Sequence, residues 1–164
     1  MATSLVLTVI GPDQPGLVEA ISQTVAGHGG SWEVSRMARL AGQFAGILQV
    51  SVPKPRAEAL FKALHGLEAR GLRVTVADSL DTPRDADYRP LALELVGQDR
   101  PGIIRDISAA LAALAVNVVE LHTECIPAPM SGEMLFIARA ELLRPGELDV
   151  EVLRETLERI AADL

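Results

Sequence analysis

The sequence contains few aromatic residues, few basic residues and a single cysteine, and each scarcity excludes something. Aromatic residues make up 3% of the 164 positions and hydrophobic residues 49%, so a core must be built mainly from Leu, Val, Ile and Ala. One cysteine, Cys125, excludes an intramolecular disulfide and fits a reducing compartment. The net charge of −7 disfavours direct DNA binding, because a nucleic-acid surface needs clustered Lys and Arg to displace counterions.

The chain also lacks the segments that would direct it to or through a membrane. No apolar run reaches the length of a membrane span, and residues 1–4 have neither the charged nor the apolar region of a signal peptide. We therefore expect a cytoplasmic protein that makes no membrane contact.

What the sequence does contain is an internal repeat. Gly11-Pro-Asp-Gln-Pro-Gly-Leu17 recurs as Gly97-Gln-Asp-Arg-Pro-Gly-Ile103, 86 positions later. At that offset, residues 5–35 and 91–121 are identical at nine of 31 positions. A period of this length is the size of a small domain rather than of a solenoid repeat, so the chain is interpreted as two copies of one module.

The first copy has a pattern typical of a β-α-β-β-α-β module. Residues 5–10 alternate as a strand, Pro15 is expected in the first turn of a helix, and two β-rich stretches are joined by a short Gly-containing turn. A second amphipathic helix begins at Pro53 and Pro55, and a last strand follows Gly71. This order is the split βαβ pattern, so we predict an α+β fold with ferredoxin-like modules.

The second copy shows the same pattern up to its last element. Residues 1–77 are assigned to the first domain, the aspartate-rich residues 78–89 to a linker and residues 90–164 to the second domain. Leu153, Leu157, Ile160 and Leu164 indicate a C-terminal helix, so the second module is expected to lack its last strand. Its first strand, residues 91–96, would then have an open edge covered by a homodimer or by intrachain docking.

The repeated G-x-D-x-P-G turn is the main candidate for chemistry. A strand that turns directly into a helix leaves backbone N–H groups unpaired at a partly positive helix start, which favours a carboxylate. Gly16 and Gly102 carry no Cβ that would obstruct a ligand, and Asp13 and Asp99 offer a partner for an ammonium group. The alternative is that the aspartates only cap the turn and that Pro and Gly serve its geometry.

These residues resemble the ACT domain, a small-molecule sensing module of amino-acid metabolism. The resemblance rests on the strand, the D-x-P-G turn, the helix and the short loop into a second strand, and it covers nearly the whole chain as two copies. With residues 30–40 after the first helix, the tandem arrangement looks most like the glycine cleavage system transcriptional repressor family.

The resemblance implies an amino acid held between the first βα turn and the start of the second strand, often across a domain interface. The start of that strand commonly supplies an Asn; Asn117 matches it, whereas the first copy has Ser31. An amide can interact with both the carboxylate and the ammonium group of an amino acid, so the second site is expected to fill first. The expected ligand-binding residues are Asp13, Pro15, Gly16, Leu17, Ser31, Asp99, Pro101, Gly102, Ile103 and Asn117.

The function implied by the resemblance is non-enzymatic regulation. The expected partners are a small amino acid, such as glycine or serine, and a transcriptional regulator protein through which glycine cleavage genes are controlled indirectly. The alternative is a detached regulatory subunit of an amino-acid biosynthetic enzyme. We expect no cofactor, catalytic residue or metal site. His122, Glu124 and Cys125 lie close together in the sequence, but a metal ion would need a further ligand from elsewhere. Cys125 could act as a nucleophile only with a paired base.

Overall fold

The computed structural model describes residues 1–80 and 87–162. Residues 1–80 form one compact unit and residues 87–162 another, and each is a module with its own core. In the first module the elements are β1 (Ala2–Pro12), α1 (Leu17–Gly27), β2 (Ser31–Leu40), β3 (Gln43–Pro53), α2 (Ala57–His65) and β4 (Arg73–Asp78). Short 3₁₀ turns, Lys54–Arg56 and Gly66–Arg70, flank α2.

The first module has the predicted ferredoxin-like topology. Its antiparallel sheet has the strand order β2-β3-β1-β4. Alternate residues of β1, namely Leu5, Leu7 and Val9, are buried because they face the apolar side of the two helices, where Ile21 and Leu60 are fully enclosed.

The second module repeats this architecture with three strands. Its elements are β5 (Tyr88–Gln98), α3 (Ile103–Ala113), β6 (Asn117–Pro127), β7 (Met134–Pro145) and α4 (Val150–Ala162). The strand order is β5-β7-β6, and no described strand takes the place of β4, as predicted. Phe136 is the one aromatic side chain among the residues of the core, which otherwise consists of aliphatic residues.

Strand register is the same in both modules. β1 pairs with β3 from Ala2–Pro53 to Pro12–Gln43, and β5 pairs with β7 from Tyr88–Pro145 to Gln98–Leu135. The second strand of each module also has a β-bulge at the same place, between Trp32 and Val34 and between Val118 and Glu120. Bulges are specific features of a strand pair, so their repetition supports the duplication.

Three details differ from the sequence-based expectations. The second helix does not begin at Pro53 and Pro55: Pro53 is the last residue of β3, Pro55 lies in a 3₁₀ turn, and α2 begins at Ala57. Pro15 is not in the first turn of α1; that expectation is wrong, because Gly16 adopts a left-handed conformation and the helix begins only at Leu17. Within the predicted linker 78–89, Asp78 pairs with Leu5 in the sheet and Tyr88 begins β5, so both ends belong to strands. Residues 81–86, and Leu164 of the predicted C-terminal helix, lie outside the described residues.

Candidate functional site

The two D-x-P-G turns have the same backbone conformation. Gly16 has φ 90° and Gly102 has φ 84°, both in the left-handed region that favours glycine. The carbonyl of each glycine accepts the first backbone hydrogen bond of the helix that follows it. Ala20 donates its N–H to Gly16 at 2.9 Å, and Asp106 donates its N–H to Gly102 at 3.0 Å. At the second turn Ile103 donates its N–H to the Arg100 carbonyl at 3.3 Å. The N–H groups of Ile104 and Arg105 belong to the first turn of α3, where the helix offers them no acceptor, as the interpretation of a carboxylate-accepting helix start requires.

The second turn is surrounded by two guanidinium groups. Arg100 Nη1 lies 2.7 Å from Asp106 Oδ2, and Arg105 Nε lies 3.3 Å from Asp106 Oδ1. Arg105 also extends over Gly102, where its Nη2 atom is 2.9 Å from the position a Cβ would occupy. The hydrogen bond from Arg100, followed by that from Arg105, lowers the pKa of Asp106, so the carboxylate stays ionised and neutralises only part of this positive charge.

The first turn has a different charge distribution. Asp13 forms an ion pair with Arg39, a residue near the end of β2; the distance from Asp13 Oδ2 to Arg39 Nε is 2.9 Å. The positions equivalent to Arg100 and Arg105 are Gln14, which donates to the Arg70 carbonyl at 3.1 Å, and Glu19, an acidic residue in the first turn of α1. A ligand carboxylate would thus meet a negative side chain at the first turn and positive ones at the second.

Among the residues that the structure describes, Asp99 has no ion pair like the one that its counterpart Asp13 makes with Arg39. The position equivalent to Arg39 is Cys125, whose thiol lies near the Asp99 carboxylate. Desolvation, and then the charge and hydrogen bond of Asp99, raise the pKa of the Cys125 thiol. Cys125 therefore stays protonated at neutral pH and leaves the Asp99 charge uncompensated, which suits an ammonium group and does not suit a thiolate nucleophile.

Ser31 and Asn117 lie far from the turns of their own modules. Ser31 pairs with Ser51 and Pro12 pairs with Gln43, so the start of β2 and the turn are separated by eight residues of β3. The same spacing separates Asn117 from Gln98 along β7. Eight residues of strand span about 26 Å. In the second module the structure brings Asp99, Pro101, Gly102 and Ile103 together but keeps Asn117 away from them. In the first module it brings Asp13, Pro15, Gly16 and Leu17 together but keeps Ser31 away from them.

Sequence reasoning misses the side chains that distinguish the two turns. From the sequence alone Arg39 is most simply a solvated residue on a strand face, and nothing singles out Arg100 or Arg105. The repeat itself carries the signal, because the 86-residue offset aligns Arg39 with Cys125, Arg100 with Gln14 and Arg105 with Glu19.

Neither a metal site nor a membrane helix is found in the part of the chain that the structure describes. No group of three or more His, Cys, Asp or Glu side chains there is arranged to hold a metal ion. His122 lies on the exposed face of β6 with its Nε2 atom 4.0 Å from Glu120 Oε1. Across residues 1–80 and 87–162, no helix has both the length and the apolarity needed to span a bilayer.

Comparison with known proteins identifies the class of the first module. Residues 3–77 match the family model of the ACT domain, so this part of the chain is an ACT domain. The second module shares its β-α-β-β-α order and strand register, so it is ACT-like in fold.

The chain as a whole is similar to glycine cleavage system transcriptional repressors. It is 29% identical to the repressor of that name from Escherichia coli (strain K12) over 126 residues, which are 76% of this chain and 66%, slightly under two thirds, of the relative. A crystal structure of a proposed glycine cleavage system transcriptional repressor has a TM-score of 0.70 at 16% identity, covering 99% of this chain and 92% of that one. A crystal structure of an unknown protein from Galdieria sulphuraria has a TM-score of 0.88 at 30% identity, covering 100% of this chain and 94% of that one.

Proposed function

We propose that the protein is a non-enzymatic regulator of amino-acid metabolism that senses a small amino acid and controls glycine cleavage genes through a partner regulator in the cytoplasm. The observation that carries the proposal is the pair of left-handed glycine turns at the same position of two ACT-type modules. The similarity to repressors of glycine cleavage supplies the metabolic context.

The second turn is the proposed ligand site. The helix start at Gly102, together with Arg105 and Arg100, would bind the carboxylate of an amino acid. Asp99 would accept the ammonium group, since Cys125 leaves its charge uncompensated. At the first turn Asp13 is already paired with Arg39, so that turn would bind an amino acid more weakly.

The amide of Asn117 would come from a second copy of the chain. β6 is an edge strand, and its Val118, Val119 and Leu121 are 38–48% exposed. Antiparallel pairing of two β6 strands about their midpoint would put Asn117 of one copy beside Pro127 of the other. Pro127 pairs with Met134, whose carbonyl accepts the Asp99 N–H at 2.9 Å. A homodimer of this kind would thus bring Asn117 to the turn that its own module keeps distant.

Control of transcription would be indirect. With a net charge of −7, the chain has too little basic surface to bind an operator by itself, so a regulator that binds DNA has to carry the signal. A detached subunit of a biosynthetic enzyme would share the amino-acid site but would change enzyme inhibition rather than transcript levels.

Deletion and complementation in the host test the regulatory role. Deleting the gene should raise glycine cleavage transcripts, and the wild-type gene should restore their repression. Arg105→Ala should alter the response to added glycine, whereas Lys62→Ala, which removes a cation from the exposed face of α2, should not. Transcripts that do not respond to deletion would overturn the proposal.

A further inference from the structure

The outer edge of β5 has no strand partner among the described residues. β5 pairs with β7 on one side only, whereas its counterpart β1 pairs with β3 on one side and with β4 on the other. An unpaired edge presents N–H and C=O groups in the spacing that another strand needs.

A groove beside this edge corresponds to the space that β4 fills in the first module. The groove has a volume of about 460 Å³ and lies between β5 and α4, lined mainly by Leu91, Leu93, Leu95, Leu153 and Leu157. In the first module, Val74 and Val76 of β4 pack into the core at the same level, and Val74 is 4% exposed. The second module thus has the backbone edge and the apolar surface for one more strand.

We propose that β5 and this groove, together called the β5 slot, bind an extended segment of a partner protein as an added antiparallel strand. The slot deepens the partner part of the proposed function, but the amino-acid site is not needed for it. In the first module Leu7 pairs with Val76, Val9 with Val74 and Thr8 with Thr75. At the 86-residue offset, Leu93, Glu94 and Leu95 of β5 correspond to Leu7, Thr8 and Val9 of β1. The partner segment should therefore carry apolar residues opposite Leu93 and Leu95.

The charge of Glu94 determines which partner residue fits between those two apolar positions. Glu94 lies on the outer face of the sheet, and the adjacent row on that face contains Glu141 and Glu120. Arg139 approaches Glu94 only to 4.0 Å, and the Glu94 side chain is 67% exposed. A Lys or Arg opposite Glu94 would form a favourable cross-strand pair. A second copy of β5 fits less well, since it would bring its own acidic face alongside this one.

The probe for the slot is a peptide of the chain's own β4. The peptide contains residues 71–79 with Thr75→Lys, and it is titrated into the full chain while its fluorescence anisotropy is followed. It should bind saturably and at least about fivefold more tightly than the same peptide with Thr75→Glu, because a cross-strand charge pair changes sign. A peptide with Thr75→Lys and Ala77→Pro should lose binding. Ser79 donates its N–H to the Ser4 carbonyl at 3.1 Å, so alternate residues of β4 such as Ala77 direct their N–H toward the neighbouring strand, and proline lacks that N–H.

Reversing the charge of Glu94 tests whether the peptide binds at the β5 slot. Glu94→Lys should reverse the preference, so that the Thr75→Glu peptide becomes the tighter ligand. Glu33→Lys, the same change at the bulge of β2, should leave both affinities unchanged. The proposal would be overturned if the peptide showed no saturable binding, or if Glu94→Lys left the peptide preference unchanged. It would also be overturned if sedimentation showed a dimer of the chain that Ala92→Glu dissociates, because β5 would then pair with a second copy. Calorimetric binding of amino acids is a separate readout, so failure of the slot is distinguishable from failure of the ligand site.

Discussion

Asp13 and Arg39 form a 2.9 Å ion pair in the first module, and the second module replaces that arginine with Cys125 beside Asp99. The two aspartates occupy the same position of the same turn, and each donates its N–H to the hairpin formed by its second and third strands. One carboxylate is compensated by a cation and the other is not. This single difference makes the second turn the better candidate for recognition of an ammonium group.

Transferring the ion pair to the second module should impair amino-acid binding. In Cys125→Arg, the new guanidinium would occupy Asp99 and compete with the ligand's ammonium group, so we expect affinity to fall by about tenfold, which is the loss of one charge-assisted hydrogen bond. The measurement is calorimetric titration with glycine and serine. Arg39→Cys, the reverse change in the first module, is the control and should leave the main binding event unchanged; equal losses in both variants would contradict the assignment.

The turn glycines should be sensitive to any side chain. Gly16→Ala and Gly102→Ala force a residue with a Cβ into φ near 90° and 84°, which destabilises the folded module by about 1–2 kcal/mol. Gly27→Ala is the matched control, since Gly27 lies in α1 with no atom within 4 Å of an added Cβ and should be neutral or slightly stabilising. Urea unfolding followed by circular dichroism provides the free energies. Similar stability for all three variants would show that the turns tolerate other conformations.

Acid should weaken the second module through Asp106. Hydrogen bonding from Arg100 lowers the pKa of Asp106 below its ordinary value of 3.8 in the folded state, so its stabilising contribution is present above that value. The contribution is lost as pH falls through the lower, folded-state pKa. Arg100→Gln should raise the pKa of Asp106, measured from the carboxyl ¹³C shift during NMR titration, while Arg73→Gln in the first module should not change it. An unchanged titration in Arg100→Gln would show that the Arg100 hydrogen bond is not what lowers this pKa.

The isolated protein should not bind duplex DNA at physiological salt. Its charge of −7 opposes the counterion release on which nonspecific affinity depends. Anisotropy titration of a labelled operator fragment should show no complex tighter than about 10⁻⁶ M, the upper range of nonspecific affinity. A tighter, salt-sensitive complex would mean that basic residues such as Arg36 and Arg73 form a binding surface despite the overall charge.

The sequence predicts the modules better than it predicts the site. Alternation in residues 5–10 and the stripe that includes Ile21 follow directly from burial, so the elements and their order are recoverable. The repeat also predicts the open edge of β5. A tertiary ion pair such as Asp13–Arg39 joins residues whose proximity depends on strand register, which periodicity does not reveal. For the same reason, the separation of Asn117 from its own turn appears only when both strands are paired with β7.

The most direct test of the central claim is calorimetric titration of glycine, serine and other small amino acids into wild type, Asn117→Ala and Ser31→Ala. If the second turn is the principal site and Asn117 completes it, Asn117→Ala should weaken binding by about two- to twelvefold, the equivalent of one hydrogen bond of 0.5–1.5 kcal/mol, and Ser31→Ala should leave it unchanged. Binding unaffected by Asn117→Ala but abolished by Ser31→Ala would move the site to the first module. No heat of binding with any amino acid would contradict the sensing role itself.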